Sequence, residues 1–306
     1  MSNINTQVNI AGLKLKNPVI AASGSFGFGR EYSEYFDLNK LGGISVKGLT
    51  LKPRPGNKPP RIAETPAGIL NSVGLQNPGV DYFIKNEIPF IRKYNTAIIA
   101  NVAGNSVEDY CRMAEILSEA DIDAIELNVS CPNVKEGCVL FGVSPEGVSM
   151  ITSEVRKYCK KPLIVKLTPN VRSIAEVAIA AESSGADAVS LINTVLGMAI
   201  DINTKRPILA NNVGGLSGPA VKPIAVRMVY ETAQAVNIPI IGMGGISTGD
   251  DAVEFMLAGA SAVMVGTANF VNPTACADIA QGIESYLIRN KYDSIYDVIG
   301  KVQLNS

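Results

Sequence analysis

The sequence predicts an α/β fold, a (β/α)8 barrel of the TIM type with an N-terminal β-hairpin and extended active-site loops, on three observations. Short runs rich in Val, Ile and Ala recur about eight times along the chain. An amphipathic segment of helical period follows the runs, the alternation expected of a parallel sheet wrapped by helices. Only 18% of the residues are charged, as required when both faces of such a sheet are covered. At 306 residues the chain exceeds the usual size of one domain. Barrels of this type routinely reach that length, so one domain over 1–306 is expected.

In chain order, Val8 to Ile10 and Leu13 to Leu15 flank Ala11-Gly12 and read as a hairpin covering the N-terminal end of the barrel. The barrel strands read as Val19 to Ala22, Gly43 to Lys47, Ala97 to Asn101, Ala124 to Asn128, Leu163 to Lys166, Ala188 to Ile192, Pro239 to Gly242 and Ala262 to Val265. Val107, Tyr110, Cys111, Ala114 and Leu117 share one helical face, and Val253, Met256, Leu257 and Ala260 share another. Ser106 with Asp109, Ser173 with Glu176, and Thr248 with Asp251 have capping-box spacing, while Ser144-Pro145 fits an N-cap and first helical position. Two connections are too long for plain turns, Thr50 to Gln76 and Thr194 to Gly218, and both are expected to carry active-site loops.

Composition excludes several functions. A formal net charge of -1 without a Lys/Arg block gives no footprint for nucleic acid, so a small-molecule partner is expected. Histidine is absent, which removes every mechanism that needs an imidazole base or a His-bound metal. Five cysteines without a CxxC pair give neither a disulfide scaffold nor a metal site. Met1 to Gln7 is polar and no run approaches the ~18 apolar residues of a membrane span, so the chain reads as cytoplasmic.

In a β/α barrel, catalytic groups sit at the C-terminal ends of the strands. Those positions are here Ser23, Lys47, Asn101, Asn128, Lys166 and Asn193, then Gly244-Gly245 and Gly266-Thr267. Two lysines and three asparagines without metal ligands imply a planar, anionic, hydrogen-bonding ligand. The late glycines read as a phosphate cup, although glycines also serve plain tight turns. Such a cup is shared by FMN, pyridoxal phosphate and sugar-phosphate enzymes. A Schiff-base enzyme with Lys47 or Lys166 as the amine is therefore an alternative. The cluster Gly24-Ser25-Phe26-Gly27-Phe28-Gly29 does not match GxGxxG and reads as a flexible first loop. Without a histidine, proton transfer must use Cys, Lys, Tyr, Asp or Glu. The leading candidate base by position is Cys131 in Asn128-Val129-Ser130-Cys131-Pro132-Asn133, just past the fourth strand in a loop that reaches Ser144 and could close as a lid. Its thiol starts from a reference value of about 8.5, and nearby lysines would lower it. Cys111, Cys138, Cys159 and Cys276 read as ordinary structural thiols.

The runs Ser45-Val46-Lys47-Gly48-Leu49-Thr50, Asn71-Ser72-Val73-Gly74-Leu75-Gln76-Asn77, Asn128 to Asn133, Ile192-Asn193-Thr194 and the two late glycine pairs together resemble the class 1 dihydroorotate dehydrogenases over nearly the whole chain. The resemblance implies FMN, one per chain, across the barrel mouth at Ser23, Lys47, Asn101, Asn128, Lys166, Ile192, Gly218, Gly244, Gly245, Gly266 and Thr267. It implies dihydroorotate held by Lys47, Asn71, Ser72, Val73, Gly74, Leu75, Asn128, Asn133, Asn193 and Thr194. Cys131 would take the proton from C5 while hydride leaves C6 for the flavin, with Lys166 beside the flavin's N1 and O2 edge. No metal is implied.

Lys52 to Asn57 and Asn211 to Gly218 are more similar to the B type of that family, in which a second subunit bearing FAD and a 2Fe-2S cluster passes electrons to NAD. The implied assembly is a heterotetramer around a catalytic homodimer. Alternatives are the fumarate-using A type, a related pyrimidine-reducing flavoprotein, and a flavin-binding scaffold without activity.

Overall fold

A computed structural model describes residues 4–129 and 141–305. Eight parallel strands close into a barrel: β1 (Val19–Ala21), β2 (Gly43–Ser45), β3 (Ala97–Val102), β4 (Ala124–Asn128), β5 (Leu163–Lys166), β6 (Ala188–Leu191), β7 (Ile240–Met243) and β8 (Ala262–Val265). Each strand neighbours its successor, and β8 pairs with β1 to complete the ring. All eight expected strands are present, with ends displaced by at most two residues. Nearly every strand residue is buried because helices cover the outer face and packed side chains fill the inner one.

The helices Val107–Ser118, Pro145–Arg156, Ile174–Ser183, Lys222–Ala233 and Gly249–Leu257 connect successive strands from β3 to β8. Side chains of Ser106, Ser144, Ser173 and Thr248 each accept the backbone N–H of the residue three positions on. Of these four, only Thr248–Asp251 completes the reciprocal capping box. Asp109 returns instead to the N–H of Asn105, one residue too early. Tyr110, Ala114 and Leu117 are buried as expected and Met113 joins them, while Cys111 lies at the edge of that face.

The β1–β2 connection departs from the alternating pattern, with two 3₁₀ turns, Tyr32–Glu34 and Leu38–Lys40, in place of a helix. The glycine cluster preceding them is anchored rather than loose. Phe26 is fully buried and stacks on Tyr32 with ring centroids 4.0 Å apart, and the carbonyl of Gly27 accepts the Lys47 N–H at 2.9 Å. The hairpin Val8–Ile10/Leu13–Leu15 forms as expected, and its four end residues join the main core.

The two long connections are not plain loops. Ile62–Thr65 and Gly68–Asn71 pair with each other, and Gly68–Asn71 pairs with Gly214–Ser217, which pairs with Val195–Gly197. The result is a four-stranded antiparallel sheet that joins the first connection to the second.

Candidate active site

Every described residue singled out from the sequence lines one cavity of about 520 Å³ at the C-terminal ends of the strands. Ser23 follows β1, Lys47 follows β2, Asn101 and Asn128 belong to β3 and β4, Lys166 ends β5, and Ile192, Asn193 and Thr194 follow β6. Gly244-Gly245 and Gly266-Thr267 close the ring after β7 and β8, and Gly218 joins them from the second long connection. Asn71, Ser72, Val73, Gly74 and Leu75 enter from the four-stranded sheet and the chain that leaves it. Cys131, Asn133 and Cys138 lie outside the described residues, as does the expected lid loop except for its end at Phe141–Val143, a 3₁₀ turn, and the N-cap Ser144.

Two sides of the cavity differ in chemistry. The glycine side is shaped by backbone. Gly245 has φ +81°, and a Cβ there would sit 2.9 Å from the Gly218 carbonyl and 3.0 Å from the Lys222 N–H nitrogen, so only glycine fits this approach. At Gly266 the same construction meets nothing closer than Ala22 Cβ at 3.7 Å. Before the helix that follows β7, Asp251 Oδ2 already accepts the N–H groups of Ser247 and Thr248 at 2.9 Å, so these two donors are taken by the helix's own cap. The helix Lys222–Ala233 is the one that begins against Gly245. Thr267 Oγ1 and Ser217 Oγ hydrogen bond at 2.8 Å and tie the cup to the added sheet.

The opposite side is built from side chains. The Asn193 amide donates to Asn128 Oδ1 at 3.5 Å, and Asn193 Oδ1 accepts the Thr194 N–H at 2.8 Å. Asn71 Nδ2 donates to the Gly215 carbonyl across the added sheet at 3.3 Å. Asn170, which the sequence reading missed, donates to the Thr194 carbonyl at 3.0 Å and accepts the Leu196 N–H at 3.0 Å, fixing the start of the second long connection.

At the cavity floor, the Lys166 ammonium is 3.8 Å from Oε2 of Glu126, a fully buried carboxylate that sequence reading also missed. Asn101 Nδ2 donates to the same oxygen at 2.6 Å. Asn101 Oδ1 is buried without a hydrogen-bond partner among the described residues. A buried acceptor left open in a pocket wall fits a ligand that brings its own N–H.

The family described as Dihydroorotate dehydrogenase matches residues 5–287 of this sequence. The chain belongs to the dihydroorotate dehydrogenase family. A relative from Alkaliphilus oremlandii named "Dihydroorotate dehydrogenase B (NAD(+)), catalytic subunit" is 61% identical over 302 residues, covering 99% of this chain and all of that protein. Relatives with the same name from Alkaliphilus metalliredigens and Petrotoga mobilis are 59% and 56% identical, over 99% and 97% of this chain and 100% and 99% of theirs. Membership in the dihydroorotate dehydrogenase family makes the chain an oxidoreductase and decides against the Schiff-base and pyridoxal phosphate alternatives, which the glycine cup alone left open.

Among the described residues of this dihydroorotate dehydrogenase family member, the three thiols Cys111, Cys159 and Cys276 offer no rival base. Cys276 is completely buried, and that burial pushes its thiol up to about 12 despite a hydrogen bond to Asn269. Burial likewise raises Cys159 and Cys111. A thiol held protonated is a poor proton acceptor at neutral pH. No group of three or more potential metal ligands occurs among the described residues, and no helix among them is long and apolar enough to cross a membrane.

Proposed function

We propose that the chain oxidises (S)-dihydroorotate to orotate in de novo pyrimidine synthesis, with FMN held in the cavity, as the catalytic subunit of a B-type enzyme. One observation carries this reading: Lys47, Asn71, Asn128, Lys166, Asn193 and the glycine cup, far apart in sequence, all line a single cavity. Its donor and acceptor set suits a flavin and a pyrimidine, with the unpartnered Asn101 Oδ1 suited to an imide N–H and the glycine cup to a phosphate.

The Lys47 ammonium would pair with the substrate carboxylate, and the amides of Asn71, Asn128, Asn133 and Asn193, with Thr194, would read the alternating donors and acceptors of the ring. Backbone groups of Ser72 to Leu75 would close over the same ring. Cys131, placed by sequence shortly after β4, would accept the C5 proton. FMN, when bound, supplies the acceptor for the hydride that leaves C6. Loss of that proton and hydride leaves the C5–C6 double bond of orotate. Lys166, held at the floor, would keep a positive charge where electron density accumulates.

In this reading 1–306 is one domain, and two copies form the catalytic dimer of a cytoplasmic heterotetramer. The partner subunit carries the FAD and 2Fe-2S cluster through which electrons reach NAD, because this sequence has no dinucleotide fingerprint of its own. The isolated chain is expected to couple dihydroorotate oxidation to an artificial dye and to reduce NAD only after the partner is added. Rapid NAD reduction by the chain alone would contradict the division of labour, and turnover with fumarate instead would indicate the A type.

A further inference from the structure

We propose that Glu126 is a positioning residue, one that holds the Lys166 ammonium and the direction of the Asn101 amide so that together they receive the imide edge of the flavin. The inference rests on the FMN reading above.

Strand β4 is apolar except at Glu126 and its last residue, Asn128, and alternation puts 126 and 128 on the same face. Asn128 lines the cavity, so Glu126 lies one layer deeper along the strand. A carboxylate there is costly unless paired and hydrogen bonded. Four other strands supply the partners. Ser190 of β6 donates to Oε1 at 2.7 Å, while Ser45 of β2 and Asn101 of β3 donate to Oε2 at 2.7 and 2.6 Å. Lys166 of β5 brings its ammonium to 3.8 Å from Oε2.

These partners are of two kinds. Ser45 and Ser190 are fully buried below the cavity and only hold the carboxylate. Lys166 and Asn101 line the cavity. Because Oε2 accepts from Nδ2, the Asn101 amide is oriented with Oδ1 as its remaining polar atom, and Oδ1 has no partner among the described residues. One carboxylate oxygen thus holds both a cationic donor and an amide whose own acceptor has no partner among the described residues. That pair is complementary to a carbonyl next to an N–H, the imide edge found on both isoalloxazine and pyrimidine rings. The flavin is favoured because the pair lies at the floor, where a fixed charge acts on the reducible ring, whereas Asn71 and Thr194 serve the upper part of the cavity.

Glu126→Gln keeps the shape and one acceptor oxygen but removes the negative charge, leaving the Lys166 ammonium uncompensated. The two-electron midpoint potential of bound FMN is then expected to rise by a factor of ten or more in the reduction equilibrium, about 30 mV for a two-electron couple. Orotate affinity should stay within about twofold by the same reasoning that assigns the pair to the flavin. An unchanged potential, with or without a lower melting temperature, would reduce Glu126 to a packing role and overturn the proposal. A loss of orotate affinity at unchanged potential would assign the pair to the substrate and overturn it equally. Should Glu126→Gln fail to fold, Ser190→Ala removes a donor from Oε1, leaves the carboxylate less compensated, and should lower the potential; no shift there also overturns the proposal. Wild-type FMN content is measured first, since absence of FMN would fail the functional reading rather than this one.

Discussion

Within the ring, all four residues of Leu163–Lys166 and of Ala262–Val265 are buried, whereas in the sheet at the mouth only Ala63 of Ile62–Thr65 is buried and no residue of Val195–Gly197 is. The ring belongs to one continuous core that includes residues of every barrel strand. The sheet has its own small cluster of Ala63, Leu70 and Leu209. Burial on both sides fixes the ring so firmly that its strand ends can hold charged groups at set distances. The sheet, with little core of its own, is suited to closing on a ligand whose atoms complete its packing.

If that contrast is right, chemistry and binding separate between the two regions. Cys131→Ala, in the segment that follows β4 in sequence, should retain flavin and orotate binding but lose about 10²- to 10⁴-fold in the rate of flavin reduction by dihydroorotate, as expected for removal of a general base. Asn71→Ala, on the sheet, should raise KM for dihydroorotate with a much smaller change in the reduction rate at saturation. Stopped-flow reduction at varied substrate concentration reads both. Equal losses of rate in the two variants would erase the distinction.

Stability should divide in the same way. Leu163→Ala in β5 removes a fully buried side chain from the main core and is expected to cost about 2–5 kcal/mol in global unfolding. Leu70→Ala, in the small cluster, should fall near the lower end of that range, about 2 kcal/mol. It should also loosen hydrogen exchange in the sheet before the barrel responds. Denaturant melts and exchange measurements distinguish the two, and a larger cost at Leu70 would invert the comparison.

The smallest expected effect lies at the cup. Burial raises the Asp251 carboxyl, but hydrogen bonds from Lys222, Ser247 and Thr248 outweigh that and hold it below the usual carboxylate range. A group lowered on folding contributes stability that is present above its unfolded value of about 3.9 and is lost as pH falls through the folded one. Asp251→Asn should therefore cost about 1 kcal/mol near neutrality, and the difference from wild type should disappear in acid. A gap that persists at low pH would trace the cost to the capping box rather than to the charge.

The same contrast explains what the sequence made legible. Barrel strands announce themselves as apolar runs ending in a polar residue, because a doubly covered strand is apolar through most of its length and turns polar most readily where it leaves the sheet. Lys47, Asn128, Asn193 and the late glycines were readable for that reason. Glu126 was not. A single acid inside an apolar run has no meaning until Ser45, Asn101, Lys166 and Ser190 arrive from four other strands. The added sheet was hidden too, since Asn71 pairs with Gly215 across a long sequence separation and its strands are short and rich in glycine. Asn170 gave no signal because its partners lie in the following connection.

The central claim is that this cavity holds FMN and that dihydroorotate reduces it. The direct test is to purify the chain, release and identify its cofactor, and titrate the intact protein with dihydroorotate without oxygen. One FMN per chain and full bleaching of its visible absorption are the expected results. A different cofactor, or FMN that stays oxidised in excess dihydroorotate, would contradict the account.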